Sequence, residues 1–99
     1  MASRIELSGR VATDPELRTT PAGTSILRFE IDCSEGDNRL RIDVIVTGSE
    51  SKKLATTMRR ESKIRVEGSL RQVSRRLKSG IAERSYEVVA STVETENSN

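Results

Sequence analysis

The sequence has no histidine and no tryptophan, and it has a single cysteine, Cys33. Without histidine, the common zinc sites, the Cys–His nucleophilic pairs and the histidine-based acid–base centres are excluded or strongly disfavoured. The acidic residues are spread singly along alternating stretches, and no glycine-rich phosphate loop is present. We therefore expect that the protein is not an enzyme, has no catalytic residues and binds neither a cofactor nor a metal.

Long apolar segments are also missing. The first residues, MASRIELSG, contain no hydrophobic signal segment, and no run approaches the roughly 20 apolar residues of a membrane-spanning helix. A lone cysteine in an alternating stretch is typical of a small core residue in a reducing compartment. We expect a cytoplasmic protein that does not associate with membranes.

Aromatic residues are scarce, since the chain has one phenylalanine and one tyrosine. Hydrophobic residues make up 33% of the 99 residues, and charged residues make up 32%. A chain of this length forms one domain, and this composition gives it a thin core. Oligomerisation buries surface that the monomer cannot bury, so we expect a homo-oligomer.

Charge is abundant and unevenly distributed. Residues 59–84 contain nine bases and three acids, a net charge of +6, although the whole chain carries only +2. Residues 29–51 carry a net charge of −4, and residues 85–99 carry −3. A basic block of this density indicates a surface that faces a polyanion. The alternative interpretation is a solvated strand face crossed by ion pairs.

Five stretches alternate between apolar and polar residues with a period of two, as half-buried β-strands do. They cover residues 4–12, 25–33, 39–47, 63–72 and 84–93. Between the third and the fourth, residues 50–60 place Leu54 and Met58 one helical turn apart, which predicts one short helix. This order is that of an OB-fold, an all-β, five-stranded barrel with a short helix between strands 3 and 4 that often binds oligonucleotides. We assign residues 1–94 to this domain and expect a disordered polar C-terminus at 95–99.

The alternation also predicts which side chains face the core. Both aromatic residues, Phe29 and Tyr86, fall on the inward side of their strands. Ile45 interrupts an outward polar row and is a candidate for a subunit contact. Gly9 and Gly68 mark a bend or bulge, as a sheet needs where it curls into a barrel.

The stretch IELSGRVATDPELRTTPAGTSILRFEI combines alternating hydrophobes and a central glycine with the segments DPELR and TPAG. In this combination it resembles the opening of bacterial single-stranded DNA-binding proteins. The later stretches DVIVTG, RRESKIRVEGSLR and SGIAERSYEVVA resemble the third, fourth and fifth strands of that family. The short length also resembles primosomal replication protein N, a related OB-fold.

This resemblance implies a binding protein for single-stranded DNA in replication, replication restart or repair. It further implies a homo-oligomer of two or four chains, with replication or repair proteins as partners. The wider family continues into a flexible linker with an acidic tip, which this sequence does not contain. The segment DPELRTTPAG, residues 14–23, is predicted to form two turns joined by an arm that presents Arg18. The resemblance places this arm beside the DNA path, and the alternative for Arg18 is an ion pair within its own loop.

The family stacks bases on aromatic side chains, but the matching positions here are Arg41, Thr47 and Arg75. Arginine offsets part of this loss because its planar guanidinium stacks on bases and pairs with phosphates. We therefore predict binding through phosphates, with strong salt dependence and little sequence preference. The alternative for the hairpin at 71–84, where the bases of the chain are densest, is an ordinary solvated tip. The candidate DNA-binding residues are Arg18, Arg39, Arg41, Arg60, Arg71, Arg75, Arg76, Lys78 and Arg84.

A second hypothesis is an adaptor whose barrel mainly binds replication proteins in a primosome-like assembly, with weak DNA binding. The missing aromatic platform favours this hypothesis, and the missing acidic tip counts against it. RNA binding of the cold-shock type fits less well, because such proteins carry surface clusters of aromatic residues.

Overall fold

The computed structural model describes residues 3–96 of the chain. Within this range it contains six β-strands and one α-helix. In chain order they are β1 Arg4–Val11, β2 Glu16–Thr19, β3 Ser25–Asp32, β4 Arg41–Thr47, α1 Ser49–Thr57, β5 Lys63–Arg76 and β6 Ala82–Glu96. The helix lies between the third and fourth strands of the barrel, as the sequence predicts.

Five of the described strands close into a barrel. β5 pairs antiparallel with β1 and β6, while β4 pairs parallel with β6 and antiparallel with β3. β1 then returns to β3, where Arg10 pairs with Asp32 and Val11 pairs with Ile31. β2 lies outside this ring, on the part of the β3 edge that β1 leaves unpaired. The predicted five-stranded OB-fold is confirmed, with β2 as an additional short strand.

The barrel interior is filled by the inward residues of every barrel strand and by one face of α1. Phe29 is 2% exposed and is the largest fully buried side chain, so its predicted core position is confirmed. Burial of an aliphatic or aromatic side chain stabilises the fold by about 1.5–3 kcal/mol. The core consists of Val11, Leu27, Phe29, Ile31, Val44, Val46, Leu54, Met58, Ile64, Val66 and Val88.

Two glycines allow backbones to approach each other where the sheet curls. A Cβ on Gly9 would lie 2.9 Å from the carbonyl carbon of Asp32, close to where β1 changes partner from β5 to β3. A Cβ on Gly68 would lie 2.9 Å from the Cα of Ala90. The β5–β6 register shifts between Glu67 and Gly68, so the predicted bulge at Gly68 is confirmed.

The segment DPELRTTPAG contains more regular structure than predicted. Its arm is the strand β2, in which Arg18 pairs with Ile26 and Glu16 pairs with Arg28. The turn that follows is confirmed, because the Gly23 amide donates to the Thr20 carbonyl at 2.8 Å. The pairing of β2 with β3 explains why this segment between β1 and β3 is ten residues long, since a four-residue strand and two turns need about that many.

The β5–β6 hairpin is longer than its sequence pattern indicates. Its strands remain paired until Arg76 and Ala82, and a tight turn joins them in which the Leu77 amide donates to the Ile81 carbonyl. At the other end of β6, Thr95 and Glu96 pair with β5 rather than belonging to a disordered tail. Residues 97–99 of that predicted tail lie outside the described residues.

Two predictions about side-chain exposure are wrong. Tyr86 is 53% exposed although it lies on the inward side of β6, because the hairpin extends beyond the barrel core at this point. Ile45 is only 6% exposed although it lies on the outward side of β4, between Arg28 of β3 and Val89 of β6. A period of two predicts which side of a strand a side chain faces, but it does not predict whether other residues cover that side.

Candidate nucleic-acid interface

The side of the sheet that faces away from the core, here called the outer face, carries a row of arginines. On β3, Arg28 lies between the buried residues Leu27 and Phe29, so its side chain points outward. The strand registers place four of the nine predicted DNA-binding residues on the same outer face. These are Arg18 on β2, Arg41 on β4, and Arg71 and Arg75 on β5.

Arginines from two separate hairpins meet around one pocket of the outer face, here called the basic pocket. Its volume is about 560 Å³, within the range of ligand sites in proteins. The β2–β3 hairpin contributes Arg18 and Arg28, and Arg75 reaches it from the β5–β6 hairpin. The complete lining is Glu16, Arg18, Thr19, Thr20, Ile26, Arg28 and Arg75. Three guanidinium groups and one carboxylate give the basic pocket a net positive charge.

A buried carboxylate joins two arginines of the outer face, one of which lines the basic pocket. Glu87 is 4% exposed, and its carboxylate pairs with the guanidinium groups of Arg28, at 3.5 Å, and Arg71. Arg28 also pairs with Asp43 at 3.4 Å. This network was not predicted from the sequence. Alternation cannot reveal it, because the partners depend on the β4–β6 register.

Arg41 is held by two acids on β3. Its guanidinium lies 3.3 Å from Asp32 and 3.6 Å from Glu30. Hydrogen bonds from Ser34, together with the charge of Arg41, hold the pKa of Asp32 below its ordinary value. Arg41 is thus oriented by ion pairs while more than half of its side chain stays exposed.

Arg18 makes one local ion pair, with Glu16 at 3.6 Å. This is the contact that the alternative interpretation of Arg18 predicts. The Arg18 side chain nevertheless remains 81% exposed, and an exposed ion pair is worth little. The pair therefore leaves the guanidinium accessible to an anion.

The other five predicted residues lie elsewhere. Arg76 and Arg84 lie on the opposite face of the β5–β6 hairpin, and Lys78 lies in its turn. Arg39 precedes β4, and Arg60 follows α1. The structure therefore does not bring all nine predicted residues together.

A second pocket, of about 450 Å³, connects Arg60 with Arg41. It is also lined by Arg10, Asp32 and Cys33. Burial, and after it the charge of Asp32, raises the pKa of the Cys33 thiol above its ordinary value. Acids and bases are mixed in this pocket, so it is less favourable to a polyanion than the basic pocket.

Comparison with known protein families gives a match over residues 2–95 to the model of the single-strand binding protein family. The chain belongs to this family. A comparison with curated proteins found no match. Membership supports binding of single-stranded DNA as the general activity of the chain. The family is one of DNA-binding proteins and not of enzymes.

Two further observations concern the described part of the chain. Between residues 3 and 96, no helix is long and apolar enough to cross a membrane. Over the same residues, no three histidine, cysteine or acidic side chains are grouped so that they could hold a metal ion.

Replacing the buried acid, Glu87→Gln, should lower stability and raise affinity for DNA. Arg28 and Arg71 lose their shared anion, which we expect to cost about 2 kcal/mol of unfolding free energy because both arginines are half exposed. The outer face meanwhile gains one positive charge, which strengthens binding to a polyanion about twofold to fivefold at low salt. Urea unfolding and the fluorescence anisotropy of labelled oligo-dT measure the two effects.

The matched control is Glu83→Gln, which makes the same change of charge at an exposed position opposite Arg75. It should leave stability within about 0.5 kcal/mol of the parent protein. Equal stability of the two variants would show that Glu87 does not anchor the arginines.

Proposed function

We propose that the chain binds single-stranded DNA along the outer face, mainly through its phosphates and largely independently of sequence, during replication, replication restart or repair. The observation that carries this proposal is the basic pocket, where Arg18, Arg28 and Arg75 from two hairpins surround one space. Guanidinium groups pair with phosphate oxygens in a planar, bidentate geometry, which makes them suited to a phosphate backbone.

The proposed path crosses the barrel from β2, over β3 and β4, to the β5–β6 hairpin. Glu87, Asp43 and Glu30 neutralise part of the charge along this path. They also fix the directions of Arg28, Arg41 and Arg71, which lowers the conformational entropy lost when DNA binds. We expect moderate affinity that falls strongly with salt.

We further propose that the protein is a cytoplasmic homo-oligomer, either a dimer or a tetramer. The thin core supports this proposal, and so do the exposed apolar residues at the end of the β5–β6 hairpin. The solution mass, measured with and without oligo-dT, distinguishes the two assemblies and shows whether DNA changes them.

The function is tested by the anisotropy of labelled oligo-dT, titrated with the protein across a salt series. We expect micromolar or tighter binding at low salt, a steep loss with added salt, and weaker binding to duplex DNA of equal length. Oligo-dA and oligo-dC should bind with similar affinity, because phosphate contacts carry little sequence information. Absence of binding at low salt would contradict the proposal.

A second candidate function is an adaptor that recruits replication proteins and binds DNA only weakly. It is favoured by two apolar side chains near the hairpin tip, Leu77 and Ile81, of which Ile81 is 64% exposed. Pull-down of replication and repair proteins, with and without a saturating oligonucleotide, separates the candidates. Capture of the same partners by the parent protein, but not by Ile81→Ser, would support the adaptor.

A further inference from the structure

Tyr86 is the one tyrosine of a chain that has no tryptophan, and it is exposed rather than packed in the core. Its ring borders a cleft of about 350 Å³, here called the tyrosine cleft. The opposite wall contains Leu40 and Ile42, and Leu40 is also exposed. The full lining is Glu30, Leu40, Arg41, Ile42, Asp43, Ser85 and Tyr86.

The tyrosine cleft exists because two parallel strands pair over only a short distance. The β4–β6 ladder begins with Asp43 opposite Glu87 and ends with Ile45 opposite Val89. The residues that precede this ladder on each strand are not paired with each other, so a gap opens between the start of β4 and the hairpin. Tyr86 and Ile42 are the residues immediately before the first pair, and they therefore form the closed end of the gap.

We propose that the tyrosine cleft receives one nucleobase of the bound single strand, stacked on the ring of Tyr86. This inference rests on the proposed function, since it names a base-binding subsite beside the phosphate path. The aromatic ring and the apolar side chains of Leu40 and Ile42 offer a surface that suits a flat, weakly hydrated ring.

The charges around the cleft select a base over a phosphate. The carboxylates of Glu30 and Asp43 line it and repel a phosphate group, whereas a neutral base tolerates them. Arg41 lines the same cleft and also belongs to the outer face. A phosphate held by Arg41 on the outer face therefore places the attached base close to the opening of the cleft.

The sequence provides a direct reporter for this subsite. Because Tyr86 is the single tyrosine and tryptophan is absent, the tyrosine emission of the protein comes from this side chain alone. Titration with unlabelled oligo-dT should quench the emission in parallel with the anisotropy change of labelled oligo-dT. An oligomer of abasic residues with the same length should bind through its phosphates without comparable quenching.

Substitutions separate stacking from the hydroxyl group and from charge. Tyr86→Leu should weaken binding of oligo-dT about tenfold, whereas Tyr86→Phe should stay within about twofold of the parent protein. The salt dependence of binding should be the same in all three proteins, because the change removes no charge. Ile81→Ala is the matched control, since it shortens an exposed apolar side chain of the same hairpin outside the cleft, and it should bind normally.

Circular dichroism and thermal melting establish that each variant is folded. If labelled oligo-dT binds but the emission is not quenched, or if Tyr86→Leu binds as tightly as the parent, the base subsite is wrong while the proposed function stands. If no oligonucleotide binds, both proposals fail. A change in solution mass of Tyr86→Leu without a change in affinity would assign the cleft to a contact between copies of the chain, and would overturn the proposal.

Discussion

Replacing Gly68 with alanine should lower the melting temperature by about 12–24 °C. The added Cβ would lie 2.9 Å from the Cα of Ala90 and closer still to the carbonyl oxygen of Val89. Both contacts are with backbone, so no flexible side chain can move aside to relieve them. We expect a loss of about 3 kcal/mol from this overpacking, which corresponds to that temperature range for a domain of this size.

The control for this substitution is Gly80→Ala in the turn of the hairpin. Gly80 has a φ of +89°, and no atom lies within 4 Å of the position that an added Cβ would take. Alanine there costs only the strain of a positive φ, about 1 kcal/mol. Thermal melting of both variants should therefore give a drop about three times larger for Gly68. Equal drops would show that the bulge tolerates a side chain.

The close approach at Gly68 also matters for the DNA-binding surface. The bulge shifts the β5–β6 register between Glu67 and Gly68. The shift skips one residue of β6, Ser91, and thereby places Glu87 opposite Arg71 on the outer face. A mutation that removes the bulge would turn the β6 side chains beyond it, Glu87 among them, to the other face, because a shift of one residue reverses a strand.

The fold was predictable because local signals agree along the whole chain. Alternation gives the five barrel strands, the Leu54–Met58 pair gives the helix, and Gly68 gives the bulge. The short strand β2 was missed because four exposed residues carry no alternation that periodicity can detect. Its pairing depends on the neighbouring β3 rather than on its own sequence.

The two aromatic residues show that the sequence predicts the side that a residue faces but not its burial. Alternation places Phe29 and Tyr86 on the inward sides of their strands, and both assignments of side are correct. Phe29 is buried because other strands cover that side of β3, whereas Tyr86 lies where β6 has left the barrel. Strand length and register decide the difference, and neither can be read from a period of two.

Strand register also separates the predicted DNA-binding residues into those on the outer face and those elsewhere. Arg75 and Arg76 are adjacent in a dense basic block, and composition treats them alike. The register places Arg75 opposite Glu83 and Arg76 opposite Ala82, on different faces of the hairpin. Buried Glu87 was assigned no role from the sequence, because its arginine partners lie on two other strands.

The triple variant Arg18→Ala, Arg41→Ala, Arg75→Ala should bind oligo-dT about 100-fold more weakly at low salt. These residues lie on the outer face, and each loses about 1 kcal/mol of phosphate interaction, where 1.4 kcal/mol is a tenfold change in affinity. The slope of log affinity against log salt should also decrease by about 2, because fewer counterions are released from the single strand. Stability should change little, since all three side chains are mostly exposed.

A second triple variant, Lys52→Ala, Lys53→Ala, Lys63→Ala, separates position from total charge. It removes the same number of charges at exposed positions on α1 and at the start of β5, and none of the three lysines lines the basic pocket. We expect only a few-fold loss of affinity, because exposed charges farther than about 10 Å from the ligand are largely screened at 0.1 M salt. Similar losses in the two triple variants would contradict a localised interface.

The sharpest comparison is between the single variants Arg75→Ala and Arg76→Ala. Arg75 lines the basic pocket, whereas Arg76 donates a hydrogen bond to the Gly80 carbonyl at 3.4 Å from the opposite face. Each variant removes one arginine, and the two positions are adjacent in the chain. The two variants therefore have the same total charge and differ only in the face of the hairpin that is changed. Arg75→Ala should weaken binding of oligo-dT about fivefold, and Arg76→Ala twofold or less. The reverse order would place the phosphate path on the other face of the hairpin, which also carries Arg84.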